Sequence, residues 1–410
     1  MSYRDDMELL ETSYRAGEYE KCLPLIEKLL AAPGTPDQDA ALFLFRRGFC
    51  FGELKEPEKE IQTYTDMWEK FKDSDHPEIQ IKLAQAMVNK GVCLGQAGKV
   101  EEAMQAFSTL RDHFKNSEIP DIKISWSQAT YNTSIALEQS GKSEGAIQTC
   151  DILWKKFKDS DIPDIQIQLA KAMFNKGVNF GQEEKAGEAI LAYETLWEKF
   201  KDSDIPDIQI QLAKAMFNKG VTCGQEEKAG EAIQTYSTMW EKLKDSDNPE
   251  IQILLAEAMI NKGVTFGQEG KVDEEIQAYK AIWDTFEDSD NPEIQIQLAK
   301  AMFYMGVTFE QDGKADEAIQ TYATMWKRFK DSDHPEIQTL LDTAKENQDI
   351  FLKQAGKTGE TRESSSTGSE RVESSGQPTA KIPLPTAISV TLVVIALGVV
   401  ILALVLRFRR

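Results

Sequence analysis

Three histidines, five cysteines and a recurring Asp-Ser-Asp triplet are the groups of this 410-residue chain best equipped for catalysis or metal binding. His76 and His334 stand at a loop position filled elsewhere by Ile162, Ile205, Asn248 and Asn291. Isoleucine moves no proton, so a catalytic role repeated along the chain is excluded, and the sequence sets no base beside a nucleophile, His113 included. Cys22, Cys50, Cys93, Cys150 and Cys223 are odd in number and lack zinc spacing. Four of them fall where sister segments carry apolar or small residues, which predicts core thiols in a reducing compartment. The Asp-Ser-Asp triplets at 73–75, 159–161, 202–204, 245–247, 288–290 and 331–333 are rich in oxygen. They lack the glycine and the distal glutamate of a calcium loop, so they are expected to cap the helices that follow. No phosphate loop, dinucleotide fingerprint or zinc motif is present. The expectation is a protein that is not an enzyme and holds no cofactor or metal.

What must position these residues is a repeat. Proline stands at 77, 120, 163, 206, 249, 292 and 335, a period of 43 residues without a slip. A period of that length marks an array of supersecondary units, each burying its apolar face against its neighbours. Six complete units run from Pro77 to His334, and a degenerate one, shortened by two residues, starts near Pro36. Within a unit the proline opens a first helix of roughly eighteen residues, because its missing N–H has no partner in a first turn. Ile208, Leu212, Ala215, Met216 and Val221 recur at helical spacing, and a second helix near 231–244 sets Ile233, Tyr236, Trp240 and Leu243 along one side. Trp68, Trp154, Trp197, Trp240, Trp283 and Trp326 are read as core, with Arg111 the exception. A glycine recurs in the first helix at 48, 91, 177, 220, 263 and 306, with Ser134 in one copy. Glycine costs about 1 kcal/mol there relative to alanine, so its recurrence predicts close approach of a neighbouring helix.

The pattern Asn261-Lys262-Gly263, Phe266, Gly270, Glu274, Ile276 and Tyr279, in phase with its sister copies, resembles the tetratricopeptide repeat family over about residues 36–350. Two departures stand out: the longer unit, and lysine at Lys90, Lys176, Lys219 and Lys262 where an apolar residue is expected. The resemblance implies an all-α solenoid of antiparallel helix pairs, a tetratricopeptide-like superhelix, whose first helices line a concave groove for a protein or peptide. It implies that Asn89, Asn132, Asn175, Asn218 and Asn261 hydrogen-bond a bound segment, with Tyr131, Phe174, Phe217 and Ile260 offering apolar area beside them. Lys171, Lys214 and Lys300 would favour an acidic partner locally. An alternative stays open, in which the asparagines bond between adjacent repeats and fix their stacking.

The flanks complete the organisation. Residues 1–35 form a helical pair that caps the array, with Pro24 expected to kink or delay the second helix. Repeats occupy 36–334, and 335–355 is a more polar closing helix. The stretch 356–384 is poor in apolar groups and predicts a flexible tether, with a span of roughly 30 Å. Residues 385–407 hold a charge-free run through Ala387, Leu392, Leu397, Leu402 and Leu406, about 30 Å long as a helix and suited to a bilayer core. Arg407, Arg409 and Arg410 set its topology. With no leader in evidence, the expectation is a single-pass tail anchor with the repeats in the cytosol. A net charge of −21 opposes nucleic acid as a partner. The sequence therefore predicts a membrane-tethered scaffold, or alternatively a self-associating multivalent repeat protein on a membrane.

Overall fold

A computed structural model describes residues 3–363, and side chains up to residue 350. All its regular elements are helices. The chain opens with α1 (Tyr3–Arg15) and α2 (Tyr19–Leu30), joined through Gly17 at a φ of 70°. Pro24 sits inside α2, which nevertheless starts at Tyr19 and runs unbroken to Leu30. Seven pairs follow: α3 (Asp37–Glu53) with α4 (Pro57–Phe71), α5 (Pro77–Gln96) with α6 (Val100–His113), α7 (Pro120–Gln139) with α8 (Ser143–Phe157), and α9 (Pro163–Gln182) with α10 (Ala186–Phe200). The series continues with α11 (Pro206–Gln225) and α12 (Ala229–Leu243), α13 (Pro249–Gln268) and α14 (Val272–Phe286), and α15 (Pro292–Gln311) and α16 (Ala315–Phe329). The last helix, α17 (Pro335–Glu363), runs on into the stretch assigned to the tether. Up to residue 351 the described chain forms one compact unit. The rest of the tether, the apolar segment and the terminal arginines lie outside the described residues. Among the described residues no helix is long and apolar enough to cross a membrane.

Each first helix from α5 onward starts on its proline, as expected, but the capping chemistry differs from expectation. The flanking aspartates do not cap. The central serine accepts the backbone N–H two residues on, as Ser203 Oγ does from Ile205 at 3.3 Å. A glutamine in the helix then donates back to the serine carbonyl, as Gln209 does to Ser203 at 3.3 Å and Gln252 to Ser246 at 3.0 Å. Asn248 and Asn291 cap with a side-chain oxygen, each accepting from two N–H groups. His334 makes the weaker equivalent, Nδ1 accepting from Glu336 at 3.3 Å.

Consecutive first helices pack on one another, as α9 does on α11 and α11 on α13, while consecutive second helices stand apart. The first helices therefore form the inner row and the second helices the outer row. Tryptophans bridge the outer gaps: the Trp68 ring meets Phe114 at 6.4 Å and the Trp240 ring meets Phe286 at 6.2 Å. Trp326, in the last pair, is left 43 % exposed.

Candidate functional site

The glycine row is explained by the second helix of the same repeat. A Cβ on Gly48, Gly177, Gly220, Gly263 or Gly306 would lie 2.3–2.4 Å from the ring of Tyr64, Tyr193, Tyr236, Tyr279 or Tyr322, and one on Gly91 would lie 2.2 Å from Phe107. In the one copy with Ser134, the opposing residue is Cys150, and both are buried. The two positions change together, as steric exclusion requires.

Three of these tyrosines also take a bond from the next first helix. Asn89 Nδ2 donates to the Tyr64 hydroxyl at 3.3 Å, Asn218 to Tyr193 at 3.5 Å, and Asn347 to Tyr322 at 3.4 Å. Asn175 instead finds the Tyr131 hydroxyl at 3.4 Å. Asn89, Asn175 and Asn218 thus latch adjacent repeats, the alternative left open by the sequence, while Asn132 faces Phe107, which has no hydroxyl. Burial holds these phenols protonated, pushing Tyr193 up to about 12.

The apolar neighbours do not form an open wall. Phe174, Phe217 and Ile260 are buried, with Phe217 fully so, and the Phe174 ring packs on Tyr193 at 6.2 Å. One residue is about a 100° turn of a helix, which sends 217 into the core when 218 points sideways. Tyr131 is half-buried. The apolar groups that do share the solvent face of the first helices are Ile167, Ile210 and Ile253, with Val178, Val221 and Val264, all half-buried. Spacing of i, i+4, i+8 and i+11 places Ile210, Lys214, Asn218 and Val221 on one stripe, a signal present in the sequence and not used.

The lysines are less available than expected. Lys214 pairs with Glu250 at 2.7 Å and Lys300 with Glu336 at 2.7 Å, each on the next first helix. Lys171 is half-buried as well. Lysine in the family's apolar slot is explained likewise: Lys176 pairs with Asp151 at 2.5 Å and Lys219 with Glu194 at 2.8 Å, in the preceding second helix. Lys90 and Lys262 face Thr65 and Ser237 at that position, and burial lowers the pKa of both.

A second slot between paired helices holds a carboxylate. Glu60 fills the space beside Gly52 and Glu275 that beside Gly267, while Glu138 and Glu310 occupy the glycine position itself. Glu275 Oε1 accepts from Thr308 at 2.8 Å and Tyr279 at 3.1 Å. Glu310 Oε1 has no partner, and burial pushes its carboxyl up to about 7. Among the described residues no cluster of His, Cys, Asp or Glu is placed to hold a metal. All five cysteines are buried and free, and burial pushes Cys50 up to about 12.

A row of paired helices with a repeated inner face defines a helix-pair solenoid. The family model described as "Tetratricopeptide repeat" matches residues 85–117 and 300–332, each running from a first helix through its second, which supports the tetratricopeptide repeat family for this array. No curated protein matches the sequence. Among similar solved structures, the apo form of RapI is 13 % identical over 87 % of this chain and 98 % of its own, with a TM-score of 0.49. BtubC (BKLC) from P. vanneervenii is 11 % identical over 69 % of this chain and 97 % of its own, at 0.41. PilF of Pseudomonas aeruginosa is 15 % identical over 64 % and 99 %, at 0.37.

Proposed function

We propose that the chain is a scaffold that holds a protein or peptide segment along its inner row, tethered to a membrane by residues 385–407. One observation carries the reading: isoleucine, asparagine and valine return at the same positions on the solvent face of successive first helices, as in Ile167-Asn175-Val178, Ile210-Asn218-Val221 and Ile253-Asn261-Val264. Such a face offers apolar area every 43 residues. A segment laid across it gains from each repeat in turn. Three supports of unequal kind stand behind the tether, namely the charge-free run through Ala387 and Leu406, the adjoining Ser- and Gly-rich stretch, and Arg407, Arg409 and Arg410.

The test is capture of partners from extract by the full chain and by the triple variant Ile167→Ser, Ile210→Ser, Ile253→Ser. Loss of capture with helicity retained is expected. The asparagines are the wrong targets, because removing them unlatches repeats. Assembly of copies through the outer row is the second reading, favoured by Ile152 and Leu191, 51 % and 63 % exposed on α8 and α10. It predicts concentration-dependent growth that Ile152→Gln with Leu191→Gln abolishes and the inner-face variant leaves intact. Release of the chain from membranes by carbonate alone would defeat the tether.

A further inference from the structure

In a linear array each unit is held only by its neighbours, so stiffness at a joint depends on the few bonds that cross it. Three joints carry the tyrosine–asparagine latch: Tyr64 to Asn89, Tyr193 to Asn218, and Tyr322 to Asn347. Where Tyr304 replaces asparagine, its ring packs on Tyr279 at 6.0 Å. Where Cys150 replaces tyrosine, Asn175 bonds Tyr131 instead, and the Lys176–Asp151 pair adds a second tie.

The joint between α6 and α7 differs from all of these. Phe107 stands in the tyrosine position and offers Asn132 no hydroxyl. Thr133 stands in the lysine position opposite Ser108, so no ion pair replaces the latch. Arg111 takes the place of the bridging tryptophan. The core of α7 is itself unusual, burying Ser125, Ser127, Thr130, Thr133 and Ser134. Each of these hydroxyls bonds back to a carbonyl of its own helix, as Thr130 does to Trp126 at 2.9 Å and Thr133 to Ala129 at 2.7 Å. Such bonds compete with the helix ladder and favour bending, and they reach nothing across the joint. Two ties remain, both at the turn end: Trp126 Nε1 donates to the Arg111 carbonyl at 3.1 Å, and Lys156 donates to the Lys115 carbonyl at 3.0 Å. A joint fastened at its turn and unlatched at mid-helix pivots about the fastened end.

We propose that the α6–α7 joint is the hinge of the array, about which the segment from α1 to α6 reorients relative to the segment from α7 to α16. Its motion changes the spacing between Ile81 and Ile124 on the inner row while spacings within each segment hold. It stands whatever the inner row binds.

Spin labels on the exposed outer positions 62 and 148 of the full chain span the hinge, and labels on 148 and 234 span the same number of repeats away from it. A broader distance distribution is expected for the first pair. Phe107→Tyr supplies the missing hydroxyl to Asn132, and it should narrow that distribution and slow amide exchange in α7 about five-fold, the worth of one hydrogen bond. Tyr193→Phe removes a latch elsewhere and should broaden the 148–234 distribution without touching the first. Equal widths in the unmodified protein, or a 62–148 distribution unmoved by Phe107→Tyr, overturns the hinge.

Discussion

Gly220 and Tyr236 form the most demanding contact of the repeat, and their exchange can be forecast quantitatively. A Cβ at 220 would lie 2.3 Å from Tyr236 Cε1 and 2.5 Å from Cζ. The ring cannot retreat freely, because it is only 2 % exposed. Gly220→Ser therefore overpacks the pair at about 1–3 kcal/mol, offset by less than about 1 kcal/mol from better helix propensity. Tyr236→Cys empties the same space and should cost about 3–5 kcal/mol, as large-to-small aromatic changes do. Together the two reproduce Ser134 and Cys150 as they stand in α7 and α8. In a protein already carrying Tyr236→Cys, serine at 220 meets no ring, so its cost should fall to about zero and the coupling should reach roughly 1–2 kcal/mol. Urea unfolding of the four proteins, with hydrogen exchange resolved to α11 and α12, measures it, exchange being needed because long arrays depart from two-state behaviour. Additive costs would refute the steric account of the glycine row.

Glu310 makes stability depend on pH. Its folded value is raised by burial from an ordinary 4.5 to about 7, so its contribution is fully present below 4.5 and is lost as pH rises through about 7. Thermal scans across that window should show α15 and α16 weakening with rising pH, and Glu310→Gln should flatten the slope. Asn248→Ala removes a cap accepting from Glu250 and Ile251 and should cost about 1 kcal/mol, whereas Ile205→Ala, which removes no cap, should be felt through packing alone. Lys214→Met breaks a pair whose carboxylate side is 50 % exposed, so its cost should stay under about 1 kcal/mol and shrink in high salt, read from urea midpoints.

The repeat, the proline starts of its first helices and the close approach at glycine were readable from residue types. Proline after a polar loop, alternating threes and fours of apolar groups, and a glycine kept in a helix each have one economical physical cause. Readings that required knowing which neighbour a side chain meets fared differently. Asn175 and Asn218 sit on the inner stripe, yet their amides turn to tyrosines of preceding repeats. Phe217 is adjacent to Asn218 in sequence and about a 100° turn away on the helix, which separates core from face. Lys214 looked free because its partner, Glu250, is 36 residues on in sequence and in the next first helix. The paired change to Ser134 and Cys150 was the one internal clue to the glycine's partner, since a clash relieved on one side leaves a mark on the other.

The closing helix has a bearing on how such a chain can change length. Where α15 carries Ala299, Met302, Phe303 and Gly306, α17 carries Asp342, Lys345, Glu346 and Asp349. Those four positions would receive the second helix of another repeat, and as charged groups they reject one. Growth at that end is closed off, while the interior stays open to it, because excising residues 163–205 joins Ile162 to Pro206 in phase and leaves α9's neighbours facing α11, its near-identical copy. Reach along the partner can thus be lengthened or shortened in whole modules, with both terminal seals kept, which makes the number of repeats an adjustable ruler on a fixed pair of ends.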